Sequence, residues 1–338
     1  TGTENVAIGQ RAMCDNTTGS QNVAIGQQSL VKNTTASDNT AIGKSSMHDN
    51  TTGTLNTAVG RNTLNANTTA SYNTAIGGCA LLCNTTGAAN TANGFRALAS
   101  NTTASENTAS GYAAMQLNTT GCENSAFGRK SMCGNTTGCN NAAFGQASLI
   151  GNTSGCENAV FGNRAMVLNS TGSKNTAVGA RALCANTASL NTAVGYMAML
   201  NTTSGNSQVA AGACALYTNT TGGDNVAIGN EALRFNTTGS TNTAVGKDAA
   251  QCNTTANCNT AIGLKASALN KIGVHNTAVG VCALYTNTSS KNSAFGSFAL
   301  RQNTSGCKNT AVGYQAMLYT TEGTLNTASG TYALHVNT

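Results

Sequence analysis

Every seventeen residues the chain returns to the same five-residue phrase: Asn5-Val6-Ala7-Ile8-Gly9 comes back at Asn22, Asn39 and Asn56 and onward, giving twenty copies marked by glycines from Gly9 to Gly330. Eighteen copies of 17 residues and two of 16, the latter between Gly179 and Gly195 and between Gly280 and Gly296, account for all 338 residues. A period this short is too small for helical repeats, which take about 33 residues or more, and falls below a leucine-rich repeat. It suits one coil of an all-β, single-chain β-solenoid, with two or three short strands and tight turns per coil. Residues 1–338 therefore read as one continuous solenoid, roughly 100 Å long if coils stack at ~4.8 Å. The last residues, Tyr332 to Thr338, followed by Thr1 to Asn5 would make another copy in register. Solenoids normally carry polar caps, and none is visible here. An excerpt of a longer array, or a subunit that stacks end to end, is expected.

With the asparagine as position one and the glycine as position five, each column has its own chemistry. Position three is Ala in every copy except Val160, and position nine is Leu or Met in all but two. Position four is mostly β-branched or aromatic, as in Ile8, Val59, Phe127 and Val312. Small Ala beside a larger aliphatic is expected to form a thin core, thinner still where position four is Asn93, Ser110 or Ser329. The fixed glycine marks a turn or close approach that excludes a Cβ.

Position one is Asn in nineteen of twenty copies, Gln208 being the exception, and position twelve is Asn except at Thr202 and Thr320. Two readings compete. Stacked asparagine amides can bond along the axis as a ladder and satisfy turn groups, and this is the preferred reading. Alternatively, sixteen Asn-x-Ser/Thr sequons are glycan acceptors: Asn16, Asn33, Asn50, Asn67, Asn84, Asn101, Asn118, Asn135, Asn152, Asn169, Asn201, Asn219, Asn236, Asn253, Asn287 and Asn303. Charge amounts to only 8% of the residues, leaving little to keep a rod soluble, which favours sugar. Threonine columns at positions thirteen and two look like the Thr arrays of ice-binding solenoids, but ordinary β-propensity on a solvated face explains them equally.

Ten of the seventeen basic residues fall at positions six or seven: Arg11, Lys44, Arg61, Arg96, Arg129, Lys130, Arg164, Arg181, Lys247 and Lys265. As a discontinuous edge stripe they serve solvation and protection against edge pairing, or contact with an anionic polysaccharide or cell surface. A net charge of +6 spread over such a length is weak for nucleic acid. The thirteen cysteines lack a Cys-x-x-Cys metal signature. Cys122, Cys139 and Cys156 share one column, while Cys79 with Cys83 and Cys252 with Cys258 lie within single coils, so disulfides among these are candidates. Acidic residues gather at position seventeen, as in Glu4, Asp38, Glu106, Glu123, Glu157 and Asp224, apart from the three histidines. Catalysis needs unlike groups converging in a pocket; no enzyme, cofactor or metal site is expected. No stretch approaches the ~18 consecutive apolar residues of a membrane span.

The phrase Asn-Thr-Ala-Ile-Gly, then Ala-Leu, then Asn-Thr-Thr-Gly, across all twenty copies, resembles the 17-residue arrays of phage-like tail-fibre and bacterial surface proteins. It is similar, more distantly, to the head repeats of trimeric autotransporter adhesins, which build left-handed β-rolls. The resemblance implies an elongated, non-catalytic, extracellular or virion-associated stalk, with a trimer as one form of assembly. The expected function is a structural subunit of an extracellular filament that partners itself end to end or laterally. Its alternatives are an adhesin or tail-fibre shaft holding surface carbohydrate and, less favoured, an ice-binding solenoid.

Overall fold

A computed structural model describes residues 2–336 of the chain. It divides into two compact units, Thr1–Ser173 and Lys174–Thr338. The first holds β1 (Val6–Ile8), β2 (Val23–Ile25), β3 (Thr40–Ile42), β4 (Thr57–Val59), β5 (Thr74–Ile76), β6 (Thr91–Asn93), β7 (Thr108–Ser110), β8 (Ser125–Phe127), β9 (Ala142–Phe144) and β10 (Ala159–Phe161). The second holds β11 (Thr176–Val178), β12 (Thr192–Val194), β13 (Val209–Ala211), β14 (Val226–Ile228), β15 (Thr243–Val245), β16 (Thr260–Ile262), β17 (Thr277–Val279), β18 (Ser293–Phe295), β19 (Thr310–Val312) and β20 (Thr327–Ser329). Within each unit every strand pairs in parallel with the next, like residue on like: Thr40 on Thr57, Ala41 on Ala58, Ile42 on Val59. Each unit is thus a parallel β-solenoid, and among the described residues each coil contributes one three-residue strand, not two or three.

A strand turns alternate side chains to opposite faces, so three residues leave only position three pointing inward. Ala24, Ala41, Ala58 and their counterparts are fully buried. Position four therefore points out, contrary to the expectation of a core column: Ile8 is 58% exposed and Phe161 42%. Asn93, Ser110 and Ser329 change the outer surface and leave the interior untouched. The large buried side chains come instead from position nine, where Leu30, Met47, Leu64 and Leu81 are inaccessible to solvent, joined by small residues at position eight such as Ala80, Ala97 and Ser131.

Tight corners replace further strands. Gly9, Gly26 and the other position-five glycines have φ between 117° and 151°, and a Cβ on Gly26 would lie 2.6 Å from the carbonyl oxygen of Gly43 in the next coil. Three non-glycine positions per coil are also left-handed: in the fifth coil these are Cys79 (φ 59°), Leu81 (φ 48°) and Ala89 (φ 56°). That conformation costs an L-residue about 1–2 kcal/mol. It is held because each of these N–H groups donates to a neighbouring coil: Cys79 to Arg61 O at 3.0 Å, Leu81 to Ala97 O at 3.0 Å and Ala89 to Ser71 O at 3.2 Å.

At such a position glycine loses less than it does elsewhere. The left-handed penalty of about 1–2 kcal/mol exceeds glycine's ordinary cost of about 0.5–1 kcal/mol relative to Ala. Ala89→Gly at this exposed corner is expected to stabilise the surrounding coils by about 0.5–1 kcal/mol. Amide exchange of the neighbouring Leu81 N–H measures it; faster exchange in the variant would contradict the account.

Candidate interaction faces and the buried amide ladders

Both asparagine columns lie inside the coil. Position-one Asn73 gives its side-chain N–H to the carbonyl of Gly87 across the coil at 3.0 Å, and its Oδ1 accepts the backbone N–H of Asn90 in the next coil at 2.9 Å. Position-twelve Asn84 donates to the same Gly87 carbonyl at 2.8 Å and to Asn67 Oδ1 at 3.1 Å. One turn carbonyl therefore receives both amides of its coil, while each column also runs along the axis. The position-twelve ladder continues from Asn16 to Asn169 through the first unit, with steps of 2.7 to 3.3 Å.

In the second unit the ladder is interrupted at Thr202 and Thr320, and also at Asn253, whose Oδ1 has no partner although Asn270 follows it. Thr202 has no amide to offer, and Asn219 bonds instead to Oε1 of Gln208 at 3.0 Å. The one position-one glutamine thus reaches across the gap with its extra methylene and accepts the Asn219 amide, while its own Nε2 and the Thr202 hydroxyl are left without partners. Thr320 is not answered in this way, and Asn303 Oδ1 is left without a hydrogen-bond partner.

The sequons fall on this ladder. Asn33, Asn50, Asn67, Asn84 and Asn101 are buried, and the nitrogen that a glycan would occupy already donates two hydrogen bonds in Asn67 and in Asn84. The folded coil offers no accessible acceptor at these sites. Asn201 differs: it stands at position eleven, one place before the buried Thr202, and is half-exposed. Thr at position thirteen is also engaged, Thr85 donating its hydroxyl to Thr102 O at 3.0 Å.

The outer face of the sheet carries position two, mostly Thr, and position four, mostly Ile, Val or Phe. Phe127, Phe144 and Phe161 stack here with ring centroids 4.8 and 5.0 Å apart, the spacing of neighbouring strands. At its two margins lie the corner residues. Arg11, Lys44, Arg61, Arg96, Arg129, Lys130 and Arg164 of the first unit and Arg181 of the second follow the strands, and the position-seventeen residues precede them. Phe95 and Tyr112 at position six stack at 5.7 Å, with Arg96 over Phe95 and Arg129 over Tyr112.

All thirteen cysteines, Cys79, Cys83, Cys122, Cys139, Cys156, Cys252 and Cys258 included, are free thiols. At position sixteen the cysteine sulfur does the work of a serine hydroxyl. Cys139 Sγ accepts the N–H of Cys122 at 3.1 Å, as Ser105 Oγ accepts that of Ala88 at 3.0 Å. Cys122 Sγ–H also points at Cys139 Sγ, 3.1 Å away. That hydrogen bond, with burial and Glu123 adding to it, pushes the Cys122 thiol up to about 11. Burial likewise raises Cys133 and Cys252.

Near the start of the chain, burial pushes the Asp49 carboxyl up, but hydrogen bonds from Lys32 and His48 outweigh it and hold Asp49 below its usual value. Among the described residues no three His, Cys, Asp or Glu side chains converge as metal ligands. A shallow cleft of about 240 Å³ is lined by Tyr285, Thr286, Arg301, Gln302, Thr304 and Thr321, smaller than ordinary ligand pockets of about 300–1,000 Å³. No protein-family model and no curated protein matches the sequence.

Two tests address these sites. Asn84→Ala removes its bonds to Gly87 and Asn67 and strands the side-chain N–H of Asn101, which donates to it at 2.8 Å. An unpaired buried group costs about 1–3 kcal/mol. Amide exchange in the adjoining coils is expected to accelerate on the order of 10- to 100-fold, and unchanged protection would rule out a structural ladder. For Cys122, the thiolate is the nucleophile, so its alkylation, followed by peptide mass spectrometry, should keep rising to about pH 11. A plateau by pH 9 would show that the bond to Cys139 is not formed.

Proposed function

We propose that the chain is a non-enzymatic structural subunit of an extracellular filament or appendage. The observation that carries this reading is that hydrogen bonds run from coil to coil through backbone and side chain alike: the strand ladder, the corner N–H groups and both asparagine columns all point along the coil-stacking direction. Such an arrangement resists extension along the stack and lets one coil template the next, as solenoid repeats do. The same pairing would join successive copies end to end. The resemblance of the repeat to tail-fibre and surface-protein arrays supports an extracellular or virion-associated setting.

A second reading, an adhesin or tail-fibre shaft that holds surface carbohydrate, draws on the Phe95–Tyr112 stack flanked by Arg96 and Arg129. Exposed rings present apolar faces to sugar rings, and guanidinium groups meet carboxylate or sulfate. Ice binding, the third reading, would use the position-two threonines. Electron microscopy of the purified chain over a concentration series separates the readings. Filaments whose length grows with concentration support the first. Discrete particles that bind acidic polysaccharide in a manner abolished by Phe95→Ala would replace it with the second.

A further inference from the structure

The outer sheet face of the first unit joins three features that a solvent-facing surface does not require together. It is apolar along position four on either side of Asn93 and Ser110, with Ile8, Ile42, Ile76, Phe127 and Phe161 all at least 36% exposed, and exposed apolar surface of this kind marks interaction sites. Its two margins carry opposite charge. Position seventeen, which precedes each strand, holds Glu4, Asp38, Glu106, Glu123 and Glu157 and no base; positions six and seven, which follow it, hold seven bases and no acid. Among the described residues none of these charges is ion-paired within the chain.

At four strands the charges are matched, while Glu106, Arg61 and Arg96 have no opposite charge across their own strand. Glu4 precedes and Arg11 follows β1; Asp38 and Lys44 bracket β3; Glu123 and Arg129 bracket β8; Glu157 and Arg164 bracket β10. Within one coil these partners lie beyond opposite ends of the three-residue strand and do not pair with each other. Outward volumes are matched as well. Wherever position four is Phe, position two of the same strand is small: Ser125 with Phe127, Ala142 with Phe144, Ala159 with Phe161.

One operation satisfies both patterns. A two-fold axis parallel to the stacking direction lays a second copy face to face with the coils in register. It exchanges the two margins, so that Glu123 of one copy meets Arg129 of the other, and it sets position four against position two. We propose that the first unit pairs with a second copy of this chain in this way, as a parallel, in-register homodimer. The contact is isologous, as two-fold interfaces are. An antiparallel pairing would set acid on acid, and a shift by one strand would separate the bracketed charges.

Ten three-residue strands measure roughly 10 Å by 48 Å, about 480 Å², so the corner residues at both margins must join the contact to reach the ~800 Å² per partner of a stable interface. Apolar contacts supply most of the affinity, and the margin charges fix orientation and register. The second unit lacks the pattern: Lys174 and Arg181 bracket β11, and Asp224 and Glu231 bracket β14, like with like. This lateral pairing is independent of end-to-end stacking, and stoichiometry separates the two.

Sedimentation velocity on the full chain tests it, against a protomer mass of 33.9 kDa. A dimer is expected as the smallest species, and any end-to-end growth at higher concentration should proceed in steps of two protomers. Phe144→Glu, on the outer face, is expected to raise the dimer dissociation constant roughly 30-fold or more with unchanged circular dichroism. Asp38→Lys and Lys44→Asp should each weaken the dimer at low salt, and the double variant should restore it. A wild-type monomer at tens of micromolar, a trimer, a dimer indifferent to Phe144→Glu, or a double variant no better than the singles would overturn the proposal.

Discussion

The buried asparagine amide is what makes a coil of seventeen residues closed and stackable. So short a loop encloses little more than one Ala, one small residue and one Leu or Met, too little apolar area to hold three left-handed corners per coil at about 1–2 kcal/mol each. Two amides per coil close the gap. Most are held on both sides, to a turn carbonyl within the coil and to a neighbour along the axis, so a polar interior is bonded instead of penalised except at a few atoms such as Asn253 Oδ1 and Asn303 Oδ1. Ladders of this kind add up because every coil presents the same atoms at the same height.

From that constraint the outer surface follows. With both asparagines, Ala and Leu/Met inside, one strand of three residues remains, and its flanking positions must face out. The β-branched and aromatic residues are therefore displayed instead of buried. A solenoid of this gauge spends its large apolar side chains on its face, where they act between molecules. Gln208 shows the same interior logic in part: where Thr202 removes an amide, a longer side chain reaches the vacated partner Asn219.

Much of this was legible in the residues. The period, the parallel stacking, the ladder and the glycine turns follow from columns of like residues. The sense of position four was readable too: an Ala invariant but for Val160 is the inward residue, and strand alternation then sends both neighbours outward. What the pattern could not convey was the left-handed geometry of positions seven, nine and seventeen, because residues as different as Arg96, Leu98 and Glu106 occupy them. That conformation is imposed by axial hydrogen bonds, not by local preference. The basic edge was visible as a column. Its relation to the acidic column required knowing that both border the same sheet face.

The two sixteen-residue coils are shortened at the same place, the corner after position twelve. In each, a carbonyl two residues beyond the asparagine takes over the amide bonds: Ala188 O serves both Asn175 and Asn186, and Ser289 O serves both Asn276 and Asn287. The strands that follow stay in register, Thr176 opposite Thr192 and Thr277 opposite Ser293. That corner is a slack point, where chain length varies without altering the pitch of the sheet. Segments grafted there would hang at fixed intervals from an undisturbed scaffold, which makes the array a ruler whose markings can be rewritten one coil at a time.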